Sequence, residues 1–176
     1  MAEQVNTVDR DRSPLLTGAL IGIGIIGFLD EALLHQILQW HNFYWGTDQA
    51  GRVLSDGIFH VVSTVLLLWG TYRLWRYEQA APDRVRGLVA GIFLGGGAFN
   101  LYDGVIQHAV LHLHLVNEKV CPDVFANNSL ATCAADIPFE IAFDLVAVVL
   151  LTIGFVQLRR TRSAAPQPLA SQPQGS

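Results

Sequence analysis

The sequence predicts an all-α integral membrane protein, a four-helix bundle built from a duplicated helical hairpin with both termini cytoplasmic. Three observations carry this reading: four apolar stretches long enough to cross a bilayer, a one-sided distribution of Lys and Arg, and an internal match at a fixed offset. Hydrophobic residues make up 51% of the chain and charged residues only 15%, which is more apolar than a soluble domain of this length. A net charge of −4 leaves no basic stripe to neutralise phosphates, so nucleic acid is excluded as a partner.

A transmembrane helix needs about 20 apolar residues, and the spans read as 14–40, 53–77, 84–115 and 136–158. Ser13-Pro14 supplies a cap and a first-turn proline for the first, Ser55-Asp56 and Asp83 offer capping oxygens to the second and third, and Asp136 precedes Pro138 in the fourth. The second span ends in the belt Tyr72-Arg73-Leu74-Trp75-Arg76-Tyr77, as at a membrane interface. The first span is free of charge for only about 15 residues before Asp30, the length of a secretory signal. No small-residue cleavage site follows, so it is read as a helix of the mature protein. Residues 1–13 then form a cytoplasmic segment, and the Pro/Gln/Ser-rich stretch 161–176 a disordered cytoplasmic tail.

Orientation follows from the cations. Arg10, Arg12, Arg73, Arg76, Arg84, Arg86, Arg159, Arg160 and Arg162 lie on one side, against Arg52 and Lys119 on the other. The positive-inside rule puts both termini in the cytoplasm and all six histidines, His35, His41, His60, His108, His112 and His114, in the outer half of the membrane or just beyond it. Cys121 and Cys133 share the outer loop between spans three and four. An even pair without CxxC spacing in an oxidising compartment reads as a disulfide rather than a thiolate metal site, contributing about 3 kcal/mol on the chain-entropy account.

Shifting the chain by 73 residues superimposes Gly18 on Gly91, Gly22 on Gly95, Gly24 on Gly97, Asp30 on Asp103, His35 on His108 and His41 on His114. Spans two and four match more weakly at an offset of 80, with Asp56-Gly-Ile-Phe59-His60 against Asp136-Ile-Pro-Phe139-Glu140. Equivalent spans cross in the same direction, so the halves should be related by an axis along the membrane normal. The glycines Gly18/Gly22 and Gly87/Gly91/Gly95 have the small-xxx-small spacing of close helix packing.

Positions four apart share a helix stripe. Glu31 aligns with His35, Asp56 with His60, Asn100 with Gly104, His108 and His112, and Asp136 with Glu140 and Asp144. His35, His60, His108 and Glu140 fall about one turn below their outer helix ends, counting 1.5 Å per residue. Three imidazoles and a carboxylate at one level of a bundle suit Zn, Cu or Fe. Glu31, Asp56, His112, Asp136 and Asp144 are placed to support those ligands. His41 and His114 read as interfacial, and Asp30 and Asp103 as hydrogen-bonding groups between helices. Three other readings stay open: a membrane metallohydrolase or oxidoreductase with Glu140 or Asp56 as base, a haem held by His35 and His108 as axial ligands, and a structural subunit whose polar network fixes the helix register without a ligand. No HExxH, GxSxG or nucleophile arrangement marks an enzyme. Four spans with polarity at one end give no continuous transport path, although glycine stripes permit a homodimer.

The run Leu34-His35-Gln36-Ile37-Leu38-Gln39-Trp40-His41, followed by Asp56-Gly57-Ile58-Phe59-His60 and by Asn100-Leu101-Tyr102-Asp103-Gly104 with His108 and His114, resembles the bacterial predicted membrane proteins grouped as domain of unknown function 2243. The resemblance covers about residues 14–160. Asn42, Ala109 and Leu115 stand where that family tends to place a second, adjacent histidine. The resemblance implies a four-span protein of the bacterial inner membrane without an established activity. It also implies an association with respiratory oxidases or their assembly factors, which would favour copper.

Overall fold

The computed structural model describes the backbone of residues 7–77, 82–122 and 133–163. Four long helices run through it: α1 (Thr7–Asp30), α2 (Gln49–Tyr77), α3 (Pro82–Tyr102) and α4 (Ile137–Ser163). The helical stretches Pro14–Ile37, Gln49–Arg76, Arg84–Val110 and Ile137–Thr161 are long and apolar enough to cross a membrane. Helix α1 begins at Thr7 and runs through Pro14, so the start expected at Ser13-Pro14 is overtaken. A proline removes one rung of the ladder and does not forbid the others. The side chain of Asp83 and the tail from residue 164 onward lie outside the described residues.

The first and third spans are shorter than expected because each changes helix type before it ends. α1 continues as a π-helical segment, Glu31–Ile37, and α3 as another, Asp103–Val110. Each closes with wide backbone bonds: Leu38 N to Leu33 O at 2.8 Å and Trp40 N to Leu34 O at 2.8 Å in the first, Leu111 N to Ile106 O at 2.8 Å and Leu113 N to Gln107 O at 2.9 Å in the second. Gln39 (φ 51°) and His112 (φ 49°) then take the left-handed conformation, which ends a helix and turns the chain. A non-glycine residue held there is uncommon, and it persists where the surroundings fix it. Residues 38–41 and 111–115 therefore leave the helices that the hydropathy pattern had extended through them.

Helix α1 packs on α2 and α3, and α3 packs on α4. Among the described residues α2 and α4 do not pack against each other, so the bundle is a central α1–α3 pair with one helix on each flank. Glycines set the spacing. A Cβ at Gly18 would run into the Leu88 carbonyl, one at Gly91 into the Leu15 carbonyl, and one at Gly95 into Ala19. The same closeness joins Gly70 to Ile21 on α1 and Gly154 to Leu94 on α3. The flanking helices turn apolar faces outward, including Val61, Val65 and Leu68 on α2 and Ile141, Leu145 and Val149 on α4. Such faces suit lipid, where packing rather than burial from water joins helices.

Gly91→Ala is expected to lower the unfolding midpoint in detergent by about 2–12 °C, because overpacking costs roughly 1–3 kcal/mol. Gly57→Ala, with nothing within 4 Å of the added carbon, should be neutral or stabilising, since alanine favours a helix by up to about 1 kcal/mol over glycine. Equal losses from both would show that the seam does not govern stability.

Candidate metal centre

The polar residues of all four helices meet at the end opposite the termini. His35, carried on the first π-helical segment, is buried, with Nδ1 3.0 Å from Asp56 Oδ1 and 3.0 Å from Glu31 Oε2, and Nε2 3.3 Å from Asp30 Oδ2. His108, on the second, places Nδ1 3.1 Å from Glu140 Oε2 and Nε2 2.8 Å from His114 Nε2. Asp103 Oδ2 stands 3.5 Å from the same His108 Nε2.

His41 and His114 are not interfacial. Each is at most 2% exposed, and the four rings form a row: His35 to His41 at 4.4 Å between centroids, His41 to His114 stacked at 4.7 Å, His114 to His108 at 4.4 Å. The left-handed turns at Gln39 and His112 explain the difference. They fold the chain back over the helix end, so the next histidines re-enter the bundle instead of continuing outward. The returning segments also cross between halves, with Glu118 N bonding Trp40 O at 2.8 Å and the His41 ring bonding Val116 O at 2.7 Å.

Two triads of ligand atoms result. Asp30, His35 and His41 offer atoms within 4.8 Å of one another, and so do Asp103, His108 and His114. Glu31, His35 and Asp56 form a third group that shares His35. The bond to Val116 settles the tautomer of His41. A carbonyl only accepts, so His41 Nδ1 carries the proton toward Val116 O, and the Nε2 lone pair is left buried without a hydrogen-bond partner. The carboxylates at Nδ1 of His35 and His108 orient those rings in the same way, leaving Nε2 to face the triads. A metal-binding imidazole is held by this arrangement, its second ring nitrogen donating to a carboxylate or carbonyl. Burial holds the His41 imidazole down to about 3 and His114 well below its ordinary value, so both are neutral and ligand-ready.

His60, Asp136, His112 and Asp144 are placed differently from the expectation. His60 is half-buried with its ring 5.3 Å from Phe28 and belongs to neither triad. The face that α2 turns to α1 carries Asp56, Phe59 and Ser63, all buried, and His60 falls beside that stripe. Its expected partner by the offset of 80, Glu140, instead stands toward His108 as Asp56 stands toward His35. The separation of those two carboxylates is 84 residues, one helical turn more. Phe59 and Phe143 repeat this spacing, lying 5.7 Å from His35 and 5.3 Å from His108 respectively.

Asp136 does not reach a histidine. It accepts the backbone N–H groups of Val116 at 3.2 Å and Asn117 at 2.8 Å, and burial pushes its carboxyl up to about 6. Asp56 has the same loop-holding task in addition to its bond with His35, accepting from Phe43 N at 2.7 Å and the Asn42 amide at 2.6 Å. His112 forms the left-handed turn, and Asp144 is half-buried with Oδ1 beside Gly104. Asn100 donates to Phe143 O at 2.9 Å and ties α3 to α4. Cys121 and Cys133 are disulfide-bonded across Cα atoms 6.1 Å apart. Asp30, His41, Asp103 and His114 are triad members that helix periodicity alone does not bring together, and Glu118 joins the lining beside His35 and His41 from the loop after α3. Glu118 is buried with Oε1 unpartnered, and burial pushes its carboxyl up to about 8.

Fold and site together define a polytopic membrane protein with a buried His/carboxylate cluster near one end of its bundle. The chain belongs to the family described as predicted membrane protein, domain of unknown function 2243, whose model matches residues 17–161. No curated protein and no solved structure gave a significant match.

Proposed function

We propose that this protein binds a transition metal ion, Zn, Cu or Fe, in the outer half of its bundle. Asp30, His35, His41, Asp103, His108 and His114 serve as ligands, with Asp56, Glu31, Glu140 and Val116 O orienting the rings. The observation that carries this is His41 Nε2, a buried lone pair on a neutral ring with nothing to bond. Asp30 Oδ1, likewise buried and unpartnered, supports it. Uncompensated polar atoms cost about 1–3 kcal/mol each when buried, and a bound cation answers several at once. It also offsets the repulsion among the carboxylates gathered here, which buried alone would cost several kcal/mol apiece.

The haem reading is less supported, because the stacked rings of His41 and His114 lie between His35 and His108. The reading without a ligand rests on His35, whose three carboxylate neighbours suit an imidazolium. Placement in the bacterial inner membrane with cytoplasmic termini would set the site at the outer face, in reach of an envelope oxidase or of its assembly factors. Delivering or holding a metal there fits the centre.

Elemental analysis of detergent-purified protein is the test. Wild type should retain near-stoichiometric metal, His35→Ala and His108→Ala should each lose a large part of it, and His60→Ala should keep it. Wild-type protein that takes up none of these ions, even when they are supplied, would leave the hydrogen-bond network as the function of these residues.

A further inference from the structure

We infer that the centre comprises two unequal metal positions: an open one at Asp30, His35 and His41 that exchanges with the outer solution, and a closed one at Asp103, His108 and His114. This rests on the metal reading above and adds the number of ions and their route.

The count comes from the geometry and from the chain's own repetition. Both triads have the composition Asp-His-His, and each residue of one stands 73 positions from its counterpart in the other. The wide backbone bonds closing the two π-helical segments repeat at the same offset, Leu33, Leu34, Leu38 and Trp40 against Ile106, Gln107, Leu111 and Leu113, as do the left-handed residues Gln39 and His112. With α2 and α4 aligned at 84 rather than 80, Asp56 matches Glu140, Phe59 matches Phe143 and Gly70 matches Gly154. Each half thus supplies a full set: an aspartate, two imidazoles, and a carboxylate from the flanking helix to orient the first. A single shared ion would use ligands from both sets and leave others buried and unpaired. Two ions, one per set, engage all six triad residues.

The inequality comes from what surrounds the triads. A cavity of about 270 Å3 reaches His35 and His41 and is lined besides by Gln36, Gln39, Asn42, Asp56 and Glu118. Apart from Val53 and the two imidazoles its wall is amide and carboxyl, groups that can replace water around a cation step by step. At the offset of 73 the corresponding residues of the other half are Ala109 for Gln36, His112 for Gln39 and Leu115 for Asn42. The polar wall is therefore largely missing there, and Asp103, His108 and His114 are each at most 2% exposed. Glu118, buried with its Oε1 unpartnered, is with Asp56 one of two carboxyl groups in that wall.

The test uses full-length protein in detergent and Co²⁺ as probe. Equilibrium dialysis followed by elemental analysis should give two Co²⁺ per chain. A chelator should remove one rapidly and the other at least tenfold more slowly. His41→Ala should bind one ion without the fast fraction, and His114→Ala should lose the slow one. One ion per chain in wild type would overturn the two-position inference while leaving the metal reading intact. Two ions released at one rate would overturn the open and closed assignment. No bound Co²⁺, Zn²⁺ or Cu²⁺ would remove both. Wild-type stoichiometry and release decide the matter even if a variant does not fold.

Discussion

Asp56→Ala is expected to lower the unfolding midpoint of the detergent-solubilised protein by about 6–20 °C. Asp56 is buried and holds three groups at once: the His35 ring, the Phe43 N–H and the Asn42 amide. Removing one partner of a buried charged network costs roughly 3–5 kcal/mol because the others are left unpaired, and each kcal/mol shifts the midpoint of a chain of this length by about 2–4 °C. Asp56→Asn keeps the shape and an acceptor oxygen, so it should cost less than half as much. The contrast separates the carboxylate's charge from its packing. A shift of less than 3 °C for Asp56→Ala would mean that the loop after α1 is held by other means.

On the metal proposal, stripping the ion should have an effect of the same order. An ion present at about a thousand times its dissociation constant adds about 4.1 kcal/mol to stability through mass action, so chelation should lower the midpoint by roughly 8–16 °C. Re-adding Zn²⁺ should restore it, whereas Mg²⁺, which prefers oxygen ligands and keeps its waters, should not. His41→Ala should start lower than wild type in metal and respond less to chelation. An unchanged midpoint after complete removal would separate the cluster from folding stability and weaken the case that its buried lone pairs need an ion.

The four helices, their approximate depth and the clustering of histidines at one end were legible in the sequence because hydropathy and charge respond directly to the bilayer. His35 and His108 were legible for the same reason, as costly groups one turn inside apolar spans. The roles of His41 and His114 were not, because a uniform α-helix carried through residues 40 and 115 projects them outward. The turns that bring them back depend on π-helical bonds and on left-handed backbone at Gln39 and His112, neither of which is a glycine or has a turn signature. His60 stands apart from the triads because the register of α2 against α4 is one turn away from the offset of 80. Its neighbour Phe59 faces the core, and at the offset of 84 His60 matches Asp144 rather than Glu140. One signal was available: the offset of 73 paired His41 with His114 and Asp30 with Asp103 as surely as it paired His35 with His108.

The bond from His41 to Val116 and that from Glu118 to Trp40 join opposite halves at the same end of the molecule as the triads. At the other end, Gly18 and Gly91 let α1 and α3 meet backbone to backbone. The two halves are thus clasped by hydrogen bonds beside the triads and approach each other most closely along the glycine seam. A shift of one half against the other would therefore strain these bonds and disturb the spacing of the triads together.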